Sequence, residues 1–410
     1  MILAGDYIPK DCSVRLELPP EEAILCNLEA PILGNAELPR SPKSGPNLRN
    51  RSLGNEFKNF RFALANNHMM DFGDAGLKLT RKYLAERHIP FCGAGDDLEQ
   101  ARRPMILEES GKKIAVFSCC ERQFGGADRD RAGVAVKGLW LFDAIKAVRE
   151  KVDFIIVSCH IGLESSPFPA PSLREFYQQL IVHGADIVHG HHSHIPQGVE
   201  TFGNGVIFYG LGNFAVVPED WNYVENHCWS LLAQFDFSTP RPRYRIRYAV
   251  VEGGTSKQLR VRLAAGTEIV RYAEYLRNAN QALRNAQSCD ACWQEVCVQH
   301  FDRLYGISLH FPAVVPVKLS WRNRIRYSID MLSDFFAVLT GRKFRSCRTV
   351  ARSRIFLNFF QCESHVDAVS TAAGVLSGEY PDRRDASSAA AARVCLAERR
   401  SDTIAEAEIR

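Results

Sequence analysis

The sequence contains no long apolar run, since no window among its 410 residues reaches the about 20 apolar residues of a transmembrane helix. It also lacks a recognisable signal peptide, because Met1–Ala4 lead directly into Gly5 and Asp6 without a basic region. Its net charge of +4 is too small to indicate a nucleic-acid or membrane partner by itself. We therefore predict a cytoplasmic protein, leave peripheral membrane contact open and do not expect a nucleic-acid partner.

The sequence also shows no sign of a disulfide framework. It has 13 cysteines, an odd number, and most of them lie singly in apolar runs, as Cys26 and Cys159 do. Such cysteines are typical of reduced core residues in a cytosolic protein. Cys289, Cys292 and Cys297 could form a zinc knuckle, but no second pair of ligands lies nearby at ligand spacing, which disfavours that interpretation.

Short apolar runs alternate with helical patterns over residues 1–217, and this alternation predicts one α/β domain around a central sheet. Residues 231–251 alternate apolar and polar side chains, which favours an antiparallel hairpin at the edge of the sheet. Beyond about residue 265 the pattern becomes helical. We predict an α/β domain over residues 1–254, a mainly helical and partly basic region over 255–380, and a disordered tail over 381–410.

Residues that can bind metal ions follow many of the predicted strands. The carboxyl ends of strands are where open α/β sheets place their chemistry. Each residue also has a structural interpretation: Asp6 could cap a turn, His160 could be a core histidine, and the histidine-rich loop could hold no metal. The candidates are Asp6, Asn27 with Glu29, Asn67 with His68, His160, the run His191-His192-Ser193-His194, and Asn213.

Carboxylate, amide and imidazole ligands around one pocket suit a site for two divalent ions. In such a site Glu29 would bridge both ions and help to make hydroxide from water near neutral pH. The ions would also hold the oxygens of an in-line displacement at phosphorus. The pattern therefore predicts a metal-dependent hydrolase.

The same residues resemble the ordered motifs of the CapA family of poly-γ-glutamate and capsule biosynthesis proteins, relatives of the calcineurin-like metallophosphoesterases. The resemblance runs from about residue 3 to residue 217, and each motif is weak alone while the ordered set is specific. The motifs are Gly5-Asp6, Asn27-Leu28-Glu29, Ala65-Asn66-Asn67-His68, His160, Gly190-His191-His192-Ser193-His194 and Leu211-Gly212-Asn213-Phe214.

The resemblance implies a metallophosphatase-like β-sandwich flanked by helices, with a helical C-terminal appendage. It further implies that His68 faces the substrate, as an acid or a stabiliser of charge on phosphorus, and that Asn27 and Asn213 support the site or touch substrate oxygens. The family's pair of metal-binding histidines falls on His192 and His194, which leaves His191 to pack behind them or to replace one. The implied metal ligands are Asp6, Glu29, Asn67, His160, His192 and His194.

The sequence departs from its phosphoesterase relatives at Ile8, where they usually carry a metal-binding histidine. This leaves open whether one or two divalent ions bind, with manganese, iron or zinc expected. Many relatives also carry a membrane anchor ahead of the first strand, and here the first strand begins at residue 1.

A basic segment over residues 318–354 lies outside the resemblance, with only Asp330 and Asp334 opposing its positive charge. It could contact an acidic polymer, an anionic membrane surface or RNA, or it could be a solvated helix face. Its basic residues are Lys318, Arg322, Arg324, Arg326, Arg342, Lys343, Arg345, Arg348, Arg352 and Arg354.

We therefore expect a hydrolase that acts on a phosphoester or an anionic polymer in capsule or other surface-polymer metabolism. The alternative is a metal-binding subunit of a polymer synthesis complex with little turnover, and with other capsule-synthesis proteins as partners. A nucleic-acid phosphodiesterase would require the basic segment to lie beside the pocket.

Overall fold

The computed structural model describes residues 1–19, 22–43, 45–54, 59–221, 225–253, 257–300 and 362–396. The basic segment at 318–354 lies outside these ranges, as does the amphipathic helix that the apolar spacing predicts over residues 324–339. Among the described residues no helix is both long and apolar enough to cross a bilayer.

The described residues form two large sheets and one two-stranded sheet, and the largest has nine strands, although the alternation of elements alone predicted a single central sheet. Its order is β2-β17-β16-β15-β1-β3-β4-β5, and β14 pairs with β1 in addition. Strand β1 runs parallel to β3 and β14 and antiparallel to β15. The strands are β1 (Ile2–Ile8), β2 (Ser13–Glu17), β3 (Ile24–Leu28), β4 (Phe60–Ala63), β5 (Phe91–Cys92), β14 (Asn213–Val216), β15 (Trp229–Asp236), β16 (Arg243–Gly253) and β17 (Gln258–Leu263).

The smaller sheet has six strands in the order β12-β13-β11-β10-β8-β7, and its central strands β13, β11, β10 and β8 are parallel. Two further short strands, β6 and β9, pair with each other. The strands are β6 (Ala94–Gly95), β7 (Met105–Glu109), β8 (Lys112–Cys120), β9 (Gly133–Val134), β10 (Phe154–His160), β11 (Ile187–His191), β12 (Val199–Phe202) and β13 (Gly205–Phe208).

The two large sheets pack face to face. Alternate residues of β1 and β3 point to opposite sides of the larger sheet, and those on one side pack against the smaller sheet. Leu3 and Leu25 join the core that contains Ile155 and Val157 of β10. Their neighbours Ile2 and Ile24, with others, join a second core on the far side of the larger sheet. The predicted α/β sandwich flanked by helices is therefore confirmed.

Helices cover the outer faces of both sheets. Leu77 and Leu84 of α1 pack in the core outside the nine-stranded sheet, while Leu141 of α3 and Tyr177 of α4 pack with the six-stranded sheet. Short 3₁₀ helices occur at Pro218–Trp221, Glu225–His227 and Asn280–Leu283. The α-helices are α1 (Gly73–Glu86), α2 (Leu98–Arg102), α3 (Trp140–Arg149), α4 (Pro171–Val182), α5 (Thr267–Ala279), α6 (Ala286–His300), α7 (Glu363–Ser377) and α8 (Ala386–Leu396).

The C-terminal region differs from the sequence prediction in three respects. The hairpin of β15 and β16 lies inside the larger sheet, because β15 pairs with β1 while β17 and β2 continue the sheet beyond β16. Strand β17 places residues 258–263 in this sheet, beyond the predicted domain limit at 254. Helix α8 forms in the described part of the predicted disordered tail, because Ala391, Ala392 and Cys395 are buried in the core, and residues 397–410 of that tail lie outside the described residues. The exact domain limits stay a prediction.

Candidate metal centre

The candidate site lies between the two sheets, at the ends of their central strands. In the larger sheet Asp6 of β1 stands in register with Asn27 of β3 on one side and Asn213 of β14 on the other. All three side chains are fully buried, and Glu29 follows directly after β3. The structure extends β1 to residue 8, so Asp6 lies inside a strand, beside an irregularity between Asp6 and Tyr7.

The smaller sheet supplies the imidazoles. His160 ends β10 and stands in register with His191, the last residue of β11. The chain then turns through His192 and His194, whose φ angles of 80° and 56° lie in the left-handed region that non-glycine residues rarely adopt. Strained backbone of this kind concentrates at functional sites, where the surrounding structure holds it in place.

Two glycines allow the strands to approach closely enough to bring these side chains together. A Cβ atom at Gly5 would lie 1.7 Å from the carbonyl oxygen of Gly212, and one at Gly190 would lie 2.0 Å from that of Tyr209. A side chain at Gly5 would therefore push the backbone of Asp6 away from the segment that carries Asn213, and one at Gly190 would push the backbone of His191 away from Tyr209.

Carboxylate oxygens of the larger sheet face imidazole nitrogens of the smaller one. Glu29 Oε1 lies 3.3 Å from His160 Nε2 and 3.4 Å from His194 Nε2. Asp6 Oδ2 lies 3.4 Å from His194 Nδ1, and Asp6 Oδ1 lies 3.3 Å from His191 Nδ1. His160 Nε2 also lies 3.0 Å from Asn67 Oδ1. These contacts bring together five of the six predicted metal ligands. The sixth, His192, contacts the same group through the ring of His160.

His192 belongs to the same cluster. Its ring centroid lies 4.4 Å from that of His160, and a ligand atom of His192 groups with ligand atoms of Glu29 and His160 within 4.8 Å of one another. A second group within this limit consists of Asp6, Glu29 and His194. Both groups share Glu29, so its carboxylate would contact both ions if two were bound.

The burial and the missing hydrogen-bond donors of Glu29 indicate whether these residues fit a cation. Both of its carboxylate oxygens are buried and accept no hydrogen bond from the part of the chain that the structure describes. Burial raises the pKa of Glu29 well above its ordinary value, and repulsion from Asp6 raises it further. A buried carboxylate without donors is costly, and a divalent ion between it and the histidines would remove that cost. The residues therefore fit a divalent metal ion.

Burial also prepares the imidazoles to act as ligands. Burial lowers the pKa of His160 well below its ordinary value, and repulsion from His192 and His191 lowers it further. The ring is then neutral at physiological pH, which is the form that binds metal ions.

The predicted support residues Asn27 and Asn213 contact ligands from behind. The Nδ2 atom of Asn27 donates to Asp6 Oδ1 at 2.8 Å and lies 3.0 Å from His160 Nδ1. Asn213 Oδ1 lies 3.0 Å from His194 Nδ1, while its Nδ2 donates to the carbonyl oxygen of His227. Their position at the ligands favours the supporting role over direct contact with substrate.

His68 lies beside the ligand cluster and has an acidic partner. Its Nδ1 atom lies 2.8 Å from Asp71 Oδ2 and 3.0 Å from Lys43 Nζ, and Lys43 also forms an ion pair with Asp71. Burial lowers the pKa of His68, and Lys43 lowers it further, while hydrogen bonding to Asp71 opposes both. Lys43 lies in the long loop after residue 34 and donates to the carbonyl oxygen of Asn67 as well.

Four residues near the site were not predicted to act there: Lys43, Asp71, Glu121 and Glu164. Glu121 follows directly after β8, so the position after a buried strand that indicated the other ligands could also have indicated Glu121. Glu121 Oε1 lies 3.4 Å from His192 Nε2. The exposed Glu164 forms a third group of ligand atoms with His192 and His194.

The structure bears on two further expectations. Ile8 is buried against Ala30 and Val216, so no imidazole stands at this position of β1. Cys289, Cys292 and Cys297 lie in α6 as buried core residues. Among the described residues they belong to no group of metal-ligand side chains, so the zinc knuckle is not supported.

Comparison with known proteins reveals curated relatives in several bacteria. The chain is 29% identical over 179 residues to the capsule biosynthesis protein CapA of Bacillus anthracis, covering 42% of this chain and 43% of that protein. It is 30% identical over 264 residues to a "probable polyglutamine synthesis accessory protein" of Mycobacterium tuberculosis, covering 60% and 62%. It is 29% identical over 202 residues to the PGA biosynthesis protein CapA of Bacillus subtilis, covering 48% and 53%. The chain therefore spans about half the length of these relatives.

A crystal structure of a hypothetical protein from Thermus thermophilus aligns with 60% of this chain and 97% of its own, at 15% identity and a TM-score of 0.37. A similarity this low assigns no activity. The model of the bacterial capsule synthesis protein family PGA_cap matches residues 13–217, which is half of the chain and holds every predicted site residue except Asp6. The chain belongs to this family of bacterial capsule synthesis proteins.

Proposed function

We propose that the chain is a divalent-metal-dependent hydrolase of phosphoester bonds that acts in the synthesis of a capsule or another anionic surface polymer. The observation that carries this proposal is the buried carboxylate of Glu29, which faces His160 and His194 and accepts no hydrogen bond from the described residues. A structural role does not account for an unsatisfied buried carboxylate between imidazoles, whereas a metal site does.

The family's connection with capsule synthesis supports a phosphoester or an anionic polymer as the proposed substrate class. Asp6, Glu29, Asn67, His160, His192 and His194 would hold one or two divalent ions, with manganese, iron or zinc as candidates. A bound ion would polarise a phosphoryl oxygen and lower the pKa of water. Every other role falls to side chains of this protein.

His68 is the proposed proton donor to the leaving oxygen. Asp71 Oδ2 accepts a hydrogen bond from the Nδ1–H of the ring and favours its doubly protonated form, in which Nε2 carries the proton for the leaving oxygen, whereas burial and Lys43 oppose this protonation. Lys43 places a positive charge 3.0 Å from Nδ1, where it would favour the negative charge that develops on a phosphoryl group. This arrangement is the reason for preferring turnover to simple metal binding.

Hydrolysis of p-nitrophenyl phosphate and of bis(p-nitrophenyl) phosphate in the presence of Mn²⁺ tests the proposal. We expect the wild type to turn over at least one of them, and His192→Ala to abolish the activity. His68→Ala should lower kcat by about 10²- to 10⁴-fold, the usual contribution of a general acid. His183→Ala is the matched control, because His183 lies at the end of α4 against Phe142 and should leave kcat unchanged. Equal activity in the wild type and His192→Ala would refute the proposal.

A second function is favoured by Ile8, which replaces an imidazole of the phosphoesterase relatives and packs in the core. The chain would then be a metal-binding subunit of a polymer synthesis complex, with other capsule-synthesis proteins as partners and little turnover of its own. Binding of Mn²⁺ without hydrolysis of any aryl phosphate or polymer-linked substrate would support this second function over the first.

A further inference from the structure

Helix α7 touches the candidate metal centre although it lies far beyond the family match, which ends at residue 217. The side chain of Glu121 connects the two. Its Oε2 atom accepts hydrogen bonds from the hydroxyl of Ser364 at 2.7 Å and from the backbone N–H of Ser364 at 3.2 Å. Its Oε1 atom lies 3.4 Å from His192 Nε2.

The position of Glu121 at the start of α7 is electrostatically favourable. The first turn of a helix has N–H groups without intrahelical acceptors, and its dipole stabilises a negative charge there. Helix α7 spans 15 residues, and Glu121 accepts the N–H of its second residue. The carboxylate is 2% exposed, so water does little to weaken the interaction.

The proton on His192 follows from the hydrogen bonds around it. Gln123 Nε2 lies 3.2 Å from His192 Nε2, but its two N–H groups have other acceptors, Glu121 Oε1 at 2.9 Å and Cys362 Sγ at 3.2 Å. With those two acceptors taken by Gln123, we assign His192 Nε2 as a donor to Glu121 Oε1, 3.4 Å away. In a neutral ring this arrangement leaves the lone pair on Nδ1, which is buried and accepts no hydrogen bond among the described residues.

We propose that Ser364 of helix α7 and Glu121 position His192 so that its Nδ1 atom binds a divalent cation. A carboxylate behind a metal-binding histidine fixes the ring orientation and increases its basicity. The left-handed backbone at His192, with φ at 80°, needs such support because it costs free energy. The C-terminal segment would thus complete a metal centre whose predicted ligands all lie before residue 195. This inference rests on the proposed function.

Helix α7 has a second anchor that offers a matched control. The hydroxyl of Ser172 on α4 donates to Asp367 Oδ2 at 2.6 Å. This contact fastens the same helix without touching Glu121 or His192. A variant that loosens α7 in general can therefore be separated from one that affects the histidine.

Isothermal titration calorimetry of the metal-free full chain with Mn²⁺ tests the inference. Glu121→Gln should weaken Mn²⁺ binding by about 10- to 100-fold, the usual effect of removing such a partner. Ser364→Ala should also weaken it, Ser364→Thr should restore it, and Ser172→Ala should leave it unchanged. Ser364 is only half-buried, so Ser364→Ala keeps the test decisive if Glu121→Gln fails to fold.

Two results would overturn the inference in different ways. Wild-type affinity in folded Glu121→Gln and Ser364→Ala would overturn it and leave the proposed function standing. Equal weakening in Ser172→Ala and Ser364→Ala would show that α7 acts through general packing, and this too would overturn it. A wild type that binds no Mn²⁺ would refute the proposed function together with this inference.

Discussion

Replacement of Glu29 by glutamine should remove the stabilisation that Mn²⁺ binding gives to the folded protein, and should leave the metal-free protein folded. The variant removes a buried charge but keeps the size of the side chain. At a free Mn²⁺ concentration of about 100 times Kd, binding stabilises a folded protein by about 2.7 kcal/mol. For a chain of this size we expect a gain in Tm of about 5 °C, at about 2 °C for each kcal/mol.

Glu29→Gln should lose nearly all of this gain. Glu29 contributes to two of the three ligand groups, so its loss should weaken binding by at least about 100-fold, which leaves a gain of at most about 0.4 kcal/mol at the same Mn²⁺ concentration. The control is Glu200→Gln, since the carboxylate of Glu200 accepts hydrogen bonds from Arg174, Gln178 and Tyr209. It should lower the Tm of the metal-free protein and leave the Mn²⁺ gain intact.

The metal-free proteins should also differ in their pH dependence. The pKa of Glu29 is raised on folding, so the folded state holds the proton to higher pH than the unfolded state does. Wild-type stability should therefore fall as pH rises above about 4.3, by up to about 1.4 kcal/mol per pH unit, until the folded-state pKa is passed. Glu29→Gln should lack this loss. Differential scanning fluorimetry with and without Mn²⁺ measures both effects, and an equal Mn²⁺ shift in Glu29→Gln and wild type would refute the reasoning.

Three further outcomes follow from the site. Asp71→Asn should lower kcat by at least about tenfold at unchanged Mn²⁺ affinity, because the Asp71 carboxylate holds His68 and Lys43 rather than a predicted metal ligand; steady-state kinetics and calorimetry measure the two quantities. Glu164→Gln should reduce the number of Mn²⁺ ions bound per chain if Glu164 completes a group with His192 and His194, and elemental analysis after dialysis counts them. Burial lowers the pKa of His227 to about 3, so the unfolded state gains a proton first and stability falls from about pH 6.5 downward, by about 1.4 kcal/mol per pH unit. His227→Gln should show a shallower acid loss in urea titrations, and an unchanged slope would contradict this assignment.

The ligands could be predicted because each directly follows, or lies close to the end of, a short buried strand. His160 and His191 end neighbouring parallel strands in register, so the sheet itself brings them together. Asp6 and Asn27 are neighbours for the same reason in the other sheet. Local sequence therefore carries information about which residues share an edge of a sheet.

The arrangement of two sheets could not be predicted from the alternation of elements. Strands of both sheets alternate with helices or loops in the same way, and the pairing of β15 with β1 joins residues more than 200 positions apart. Apolar runs indicate strands, but they do not say which strands pair. The sandwich was expected only from the resemblance to the family.

Contacts across long sequence separations explain the residues that were missed. Lys43 lies in a loop without regular structure, and only the fold brings it to His68. Ser364 reaches Glu121 across 243 positions. Helix α8 was missed because its alanine-rich sequence resembles a disordered tail, whereas burial of Ala391 and Ala392 in the core supports a helix.

The most direct test of the account is a crystal structure of the full chain grown with Mn²⁺, with anomalous diffraction used to locate the ion. The account predicts an anomalous peak at about 2.0–2.2 Å from a Glu29 carboxylate oxygen and from a nitrogen of His160 or His194. A peak at exposed carboxylates alone, with Glu29 still without a partner, would contradict the assignment of this cluster as a metal centre.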